Sequence, residues 1–115
     1  MSHYRELTVW KKAMDLVICV YIYTKKFPAD EQYGLKSQMR RAAVSIPSNI
    51  AEGSRRKGKD TAHFLMISFG SASELETQLE ICKRLEYAIK TQREACESLL
   101  GEIVRMLNKM TTAHY

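Results

Sequence analysis

Apolar residues recur along this chain at helical spacing in four separate segments, and no segment alternates in strand fashion for long. In the first, Val9, Ala13, Leu16, Val17 and Val20 make one stripe of a helix predicted over Thr8 to Lys25. Trp10, Met14, Ile18 and Tyr21 make a second stripe beside it. A helix apolar over most of its circumference is covered on more than one side. In a chain of 115 residues one of those sides is expected to be a subunit interface. Lys25 and Lys26 suit the negative end of the helix dipole, and Phe27-Pro28 breaks the helix.

The second segment reads LKSQMRRAAVSIPSNIAEGSRRKGK, from Leu35 to Lys59. Leu35, Met39, Ala42, Ala43, Ile46 and Ile50 recur at helical spacing, with Pro47 inside the pattern. Proline removes a backbone donor and bends a helix, so helix two is expected to kink near Pro47. Ser45, Ser48 and Asn49 stand ready to bond the freed backbone groups, and Gly53 offers a helix stop. Helix three is expected to start after Asp60, a good N-cap, and to run to about Leu85. Its inward stripe is Phe64, Leu65, Ser68, Ala72, Leu75, Leu79 and Cys82, while Met66, Ile67 and Phe69 point elsewhere. Helix four opens on the capping-box pattern Thr91-Gln92-Arg93-Glu94. Cys96, Leu99, Leu100, Ile103, Met106, Leu107 and Met110 follow at 3-4 spacing.

Four amphipathic segments with short connections predict an all-α fold, one up-down antiparallel four-helix bundle spanning residues 1–115. The doubled apolar faces predict a homo-oligomer held through Trp10, Met14, Ile18, Tyr21, Met66, Ile67 and Phe69.

Charge changes the picture through its placement. Residues 1–59 carry 12 Lys/Arg against 5 Asp/Glu, and residues 60–115 carry 6 against 8. An excess concentrated in one half favours a polyanionic partner over a merely soluble surface. Cys19, Cys82 and Cys96 contain no CxxC pair and fall on helix positions, which suits buried reduced thiols in the cytoplasm. No apolar run is long enough for a membrane span, and the N-terminus lacks a secretory pattern.

The leading candidate site is the cation run after helix two: Arg55, Arg56, Lys57 and Lys59, with Gly58 to let the backbone approach a phosphate. Arginine and lysine neutralise phosphates and release counterions, so such binding is salt-sensitive and weakly sequence-specific. A solvated helix connection is the bland alternative. Lys36, Arg40, Arg41, Lys11 and Lys12 could extend the surface. Either Arg40 or Arg41 could instead pair with Glu52, Glu74 or Glu76. Those acids suit structural ion pairs better than a di-metal site, since no Glu-x-x-His is present and Asp60-x-x-His63 occurs once. Gly53 to Asp60 nearly matches a phosphate loop, but Asp60 replaces the required hydroxyl and a helix precedes it where a strand belongs. No cofactor motif or acid–base constellation stands out. Trp10 and the tyrosines Tyr4, Tyr21, Tyr23, Tyr33, Tyr87 and Tyr115 could stack on bases, with packing at an interface the stronger reading for Trp10.

The segment RRAAVSIPSNIAEGS, Arg40 to Ser54, resembles the signature of four-helix-bundle proteins encoded in 23S rRNA intervening sequences. YRELTVWKKAMDLV (Tyr4 to Val17) and GSASELETQLEICKRL (Gly70 to Leu85) are similar to that family's first and third helices. The family includes accessory proteins of diversity-generating retroelements, basic bundles that assist a reverse transcriptase and bind nucleic acid. The resemblance implies an up-down bundle in a ring-like homo-oligomer, commonly a pentamer. It leaves the activity open. The residues favour a non-enzymatic protein that binds structured RNA or DNA through a repeated basic surface, and an accessory role beside a nucleic-acid enzyme would suit it. A protein-interaction scaffold is the competing reading.

Overall fold

The computed structural model describes residues 3–56 and 58–114, without the side chains of Lys59, Ala113 and His114. Four helices follow one another: α1 (Thr8–Thr24), α2 (Leu35–Ser54), α3 (Lys59–Leu85) and α4 (Lys90–His114). Each packs on its two neighbours in an up-down ring, α1 on α2 and α4, and α3 on α2 and α4. The stripes meet on the bundle axis. Leu16 and Val20 of α1, Met39, Ile46 and Ile50 of α2, Leu75 and Leu79 of α3, and Leu100, Ile103 and Leu107 of α4 are all buried there.

Several local expectations change. Gly53 does not stop α2, because the helix continues through Ser54. Gly53 is instead a point of close approach, where a Cβ would lie 3.2 Å from Phe64 Cβ and 3.4 Å from the Thr61 carbonyl oxygen. Phe64 is therefore half-buried at the α2–α3 seam rather than in the axial core. Asp60 lies in the first turn of α3 and the N-cap is Gly58. Thr91 does not cap α4, since the helix begins one residue earlier and Ile89 O accepts from the amides of Gln92 and Arg93, each at 3.1 Å.

Pro47 is buried inside α2, and the helix continues past it. Ser48 Oγ donates to Val44 O at 2.7 Å, and Asn49 Nδ2 donates to Ser45 O at 2.9 Å. These carbonyls follow Ala43 O, the one that an amide at Pro47 would have served. From α3, Ser68 Oγ donates to Ile46 O at 2.9 Å. The proline segment is thus held partly from its own helix and partly from its neighbour.

At the opposite end, α3 closes in a Schellman motif with Glu86 left-handed at φ 56°. Tyr87 N donates to Cys82 O at 3.0 Å and Glu86 N to Lys83 O at 3.2 Å. Glu31 joins this turn to α2. Its Oε1 accepts from Leu35 N at 3.0 Å and its Oε2 from the Tyr87 hydroxyl at 2.8 Å. The Leu35 amide, then the Tyr87 hydroxyl, hold the Glu31 carboxyl below the usual glutamate range. A depressed pKa adds stability above the unfolded-state value of about 4.3 and loses it as pH falls through the folded-state value. Glu31→Gln should therefore flatten the fall in melting temperature below about pH 4.3. Equal acid profiles for variant and wild type would remove Glu31 from the linkage.

Candidate nucleic-acid interface

The connection from α2 to α3 is short and tied down at both ends. Arg55 N donates to Glu52 O and Arg56 N to Gly53 O, each at 3.2 Å, as α2 unwinds. Gly58 then takes φ 62° and ψ −127°, a conformation that only glycine adopts freely. Thr61 Oγ1 reaches back to Arg56 O at 3.0 Å. The chain is turned sharply, and Arg55 and Arg56 are left exposed on the outside.

The two arginines differ in their commitments. Arg56 donates from Nε at 3.0 Å and from a terminal nitrogen at 2.8 Å to the same Glu52 oxygen, and its guanidinium lies 5.2 Å from the centre of the Phe64 ring. Arg55 lies 5.3 Å from the centre of the Tyr4 ring and makes no ion pair among the described residues. Lys57 and the Lys59 side chain, also expected at this site, lie outside the described residues. Lys11 is exposed on α1, whereas Lys12 bonds Glu102 of α4 at 2.7 Å.

Because α1 and α2 are antiparallel, the start of α1 lies beside the end of α2, and Lys11, Lys12, Arg55 and Arg56 share one end of the bundle. Lys36, Arg40 and Arg41 lie towards the other. At 1.5 Å per residue, Lys36 is about 28 Å along α2 from Arg55. Among the described residues the cations thus fall into two patches rather than one track.

Arg40 is largely structural, and not through an acid. Its Nε donates to Thr24 Oγ1 at 2.9 Å and a terminal nitrogen donates to Tyr21 O at 3.2 Å. Thr24 Oγ1 in turn donates to Val20 O at 2.7 Å. A cation from α2 thereby satisfies the end of α1, where carbonyls are unpaired and the dipole is negative. The same guanidinium stacks 4.3 Å from the centre of the Tyr21 ring. Arg41 is exposed and donates to Ser37 Oγ, and Lys36 Nζ donates to Gln32 Oε1 at 3.1 Å. With Tyr21, Tyr33 and Val44, these three cations line a groove of about 650 Å³ between α1 and α2.

The acids expected in ion pairs divide among themselves. Glu52 is paired, but at the surface. Glu74 and Glu76 are exposed and make no ion pair among the described residues. No group of three His, Cys, Asp or Glu could hold a metal among the described residues. Burial pushes the Cys82 thiol up to about 11 and Cys96 up to about 12, so both hold little thiolate.

The expected interface residues separate into two groups. Met14 and Ile18 of α1 and Met66 and Ile67 of α3 are exposed, and Ile22 joins the α1 stripe, which the spacing from Ile18 could have revealed. Trp10 and Phe69 are half-buried against the core, and Tyr21 turns towards Arg40. Among the tyrosines, Tyr23 is buried, Tyr87 is bonded to Glu31, and Tyr4 packs edge-on to Trp10 at 5.3 Å. Tyr33 alone among the described tyrosines is almost wholly exposed, at 93%.

A family model described as 23S rRNA-intervening sequence protein matches residues 5–109. Among solved structures, the chain is similar to a protein of unknown function from the S23 ribosomal protein family of Bacteroides thetaiotaomicron VPI-5482. The two are 24% identical with a TM-score of 0.81, over 90% of this chain and 98% of that one, a likeness that shows the fold alone. No curated protein matches. Among the described residues, no helix is long and apolar enough to cross a membrane.

Proposed function

The chain belongs to the 23S rRNA-intervening sequence protein family, and on that premise we propose that it is a non-enzymatic, homo-oligomeric protein that binds structured RNA or DNA in the cytoplasm. The observation that carries the reading is the exposed pair Arg55 and Arg56 on the tight α2–α3 turn, with Lys57 and Lys59 beside them in sequence. Phosphate is the group that such a cluster recognises, with or without base contacts. Lys11 extends it on the same end of the bundle.

Two exposed apolar faces support the homo-oligomer in this reading. The exposed stripes Met14–Ile18–Ile22 and Met66–Ile67 lie on α1 and α3, which do not adjoin in the bundle. Two different apolar faces on separate sides of one subunit suit head-to-tail contact, which closes into a ring when the rotation permits. A pentamer is the ring implied by the family resemblance. A ring repeats each basic patch around its axis, and weak phosphate contacts then act together. An accessory role beside a reverse transcriptase or another nucleic-acid enzyme fits such a surface.

The test is binding of labelled structured RNA and duplex DNA by the purified protein across a salt series, with its mass measured in solution. Six or more phosphates neutralised over the ring would cost about 10³ or more in affinity between 50 and 200 mM salt. Salt-insensitive binding, or none, would leave the apolar faces to a protein partner and favour the scaffold.

A further inference from the structure

We propose that the groove between the end of α1 and the start of α2 holds a short unpaired stretch of nucleic acid, by stacking its bases on Tyr33 and on the Tyr21–Arg40 pair. The proposal rests on the nucleic-acid reading above and specifies which form of the polymer this patch takes.

Three observations converge on the groove. First, Tyr33 is 93% exposed, with its ring unused by the fold, in the turn leading into α2. Second, the Arg40 guanidinium lies 4.3 Å from the centre of the Tyr21 ring and is fixed by bonds to Thr24 Oγ1 and Tyr21 O. This stacked pair is formed before any ligand arrives, so little ordering is lost on binding. Tyr21 keeps 38% of its surface open. Third, Lys36 and Arg41 add cations along the same groove, and none of its lining residues is acidic.

This combination selects unpaired strands. In a duplex the base faces are stacked on one another and closed to side chains. In a single strand they are open to aromatic rings and guanidinium planes. The volume of about 650 Å³ lies within the range of small-ligand sites, enough for a short unpaired segment. At the other basic end, among the described residues, the aromatic ring is already occupied. There Tyr4 is already contacted by Arg5 at 5.6 Å, by Arg55 at 5.3 Å and by the Trp10 ring at 5.3 Å. The chain would thus have a phosphate-binding end and a base-stacking end.

The experiment compares labelled oligo(dT) with a duplex of equal length, by fluorescence anisotropy, on wild type, Tyr33→Ala, Tyr33→Phe and Arg55→Ala. Loss of one stacked base should weaken oligo(dT) binding by Tyr33→Ala at least about fivefold. Duplex affinity and the salt slope should not change, and Tyr33→Phe should bind as wild type does. Equal oligo(dT) binding by wild type and Tyr33→Ala, with Arg55→Ala weakening both polymers, would overturn the groove and leave the nucleic-acid function standing. Failure of wild type to bind either polymer or labelled structured RNA would remove both. A changed oligomeric mass in Tyr33→Ala would assign the groove to a second copy of the chain and overturn the proposal.

Discussion

Reversing Arg55 and Lys57 to glutamate together is expected to abolish most binding to structured RNA at physiological salt while leaving the bundle folded. The choice leaves out Arg56 because of its surroundings. Arg56 holds Glu52 through two N–H groups and covers Phe64. A glutamate there would face Glu52 at i,i+4, and the repulsion would mix a folding effect with a binding effect. Arg55 is exposed, and its contact with Tyr4 is worth about 0.5–1 kcal/mol at a surface. Its loss will not unfold the protein. With two fewer phosphates neutralised by each bound copy of the chain, the salt dependence should become shallower by about two units of log K per log salt for each copy engaged. The two new carboxylates then repel the backbone. The affinity should fall more than about tenfold near 150 mM salt, with the circular dichroism spectrum and the oligomeric mass unchanged. Binding equal to that of wild type would move phosphate recognition to the Lys36 and Arg41 patch.

The bundle was legible in the sequence because helical periodicity is a one-dimensional signal. The stripe Met39–Ala43–Ile46–Ile50 points to one side of a helix whatever surrounds it, and it is buried in the structure. Helix ends were less legible, since they depend on contacts between segments. Gly53 reads as a stop only until Phe64 of α3 is placed against it. Asp60 and Thr91 have the chemistry of caps, yet the turns before them set each helix start two residues earlier than those caps would. The division of the cations was hidden for the same reason. Arg40 and Arg41 are neighbours in sequence with the same charge, and only the end of α1 distinguishes them, binding one and leaving the other in solvent. Arg93 was invisible as a core residue. It reads as part of a capping box but is 6% exposed, with its Nε 3.6 Å from Glu97 Oε2. That separation suits ion pairing but exceeds a hydrogen bond.

The largest stability loss should come from Tyr23→Ala, and its comparison with Tyr23→Phe separates packing from hydrogen bonding at the Glu31 end of the bundle. Tyr23 is fully buried, and its ring meets Phe27 edge-on at 5.1 Å between centres. Phe27 in turn lies 5.3 Å from the Tyr87 ring. The Tyr23 hydroxyl donates to Tyr87 O at 2.8 Å, and burial holds it protonated well above the usual tyrosine range. Removing the whole side chain takes away an aromatic core group and leaves a cavity, at a cost of about 3–5 kcal/mol. Tyr23→Phe keeps the ring but leaves the Tyr87 carbonyl short of a donor, at a cost of about 1–3 kcal/mol. Against a total stability of about 5–15 kcal/mol, the alanine variant should be marginal and the phenylalanine variant clearly folded. Chemical denaturation of both variants, with slopes matching wild type, gives the two losses directly. If phenylalanine costs as much as alanine, the hydroxyl carries the effect: it fixes the turn whose Tyr87 reaches Glu31, and Glu31 holds the start of α2. If phenylalanine costs nothing, the aromatic contacts alone hold this end together, and the position of Tyr87 does not depend on Tyr23.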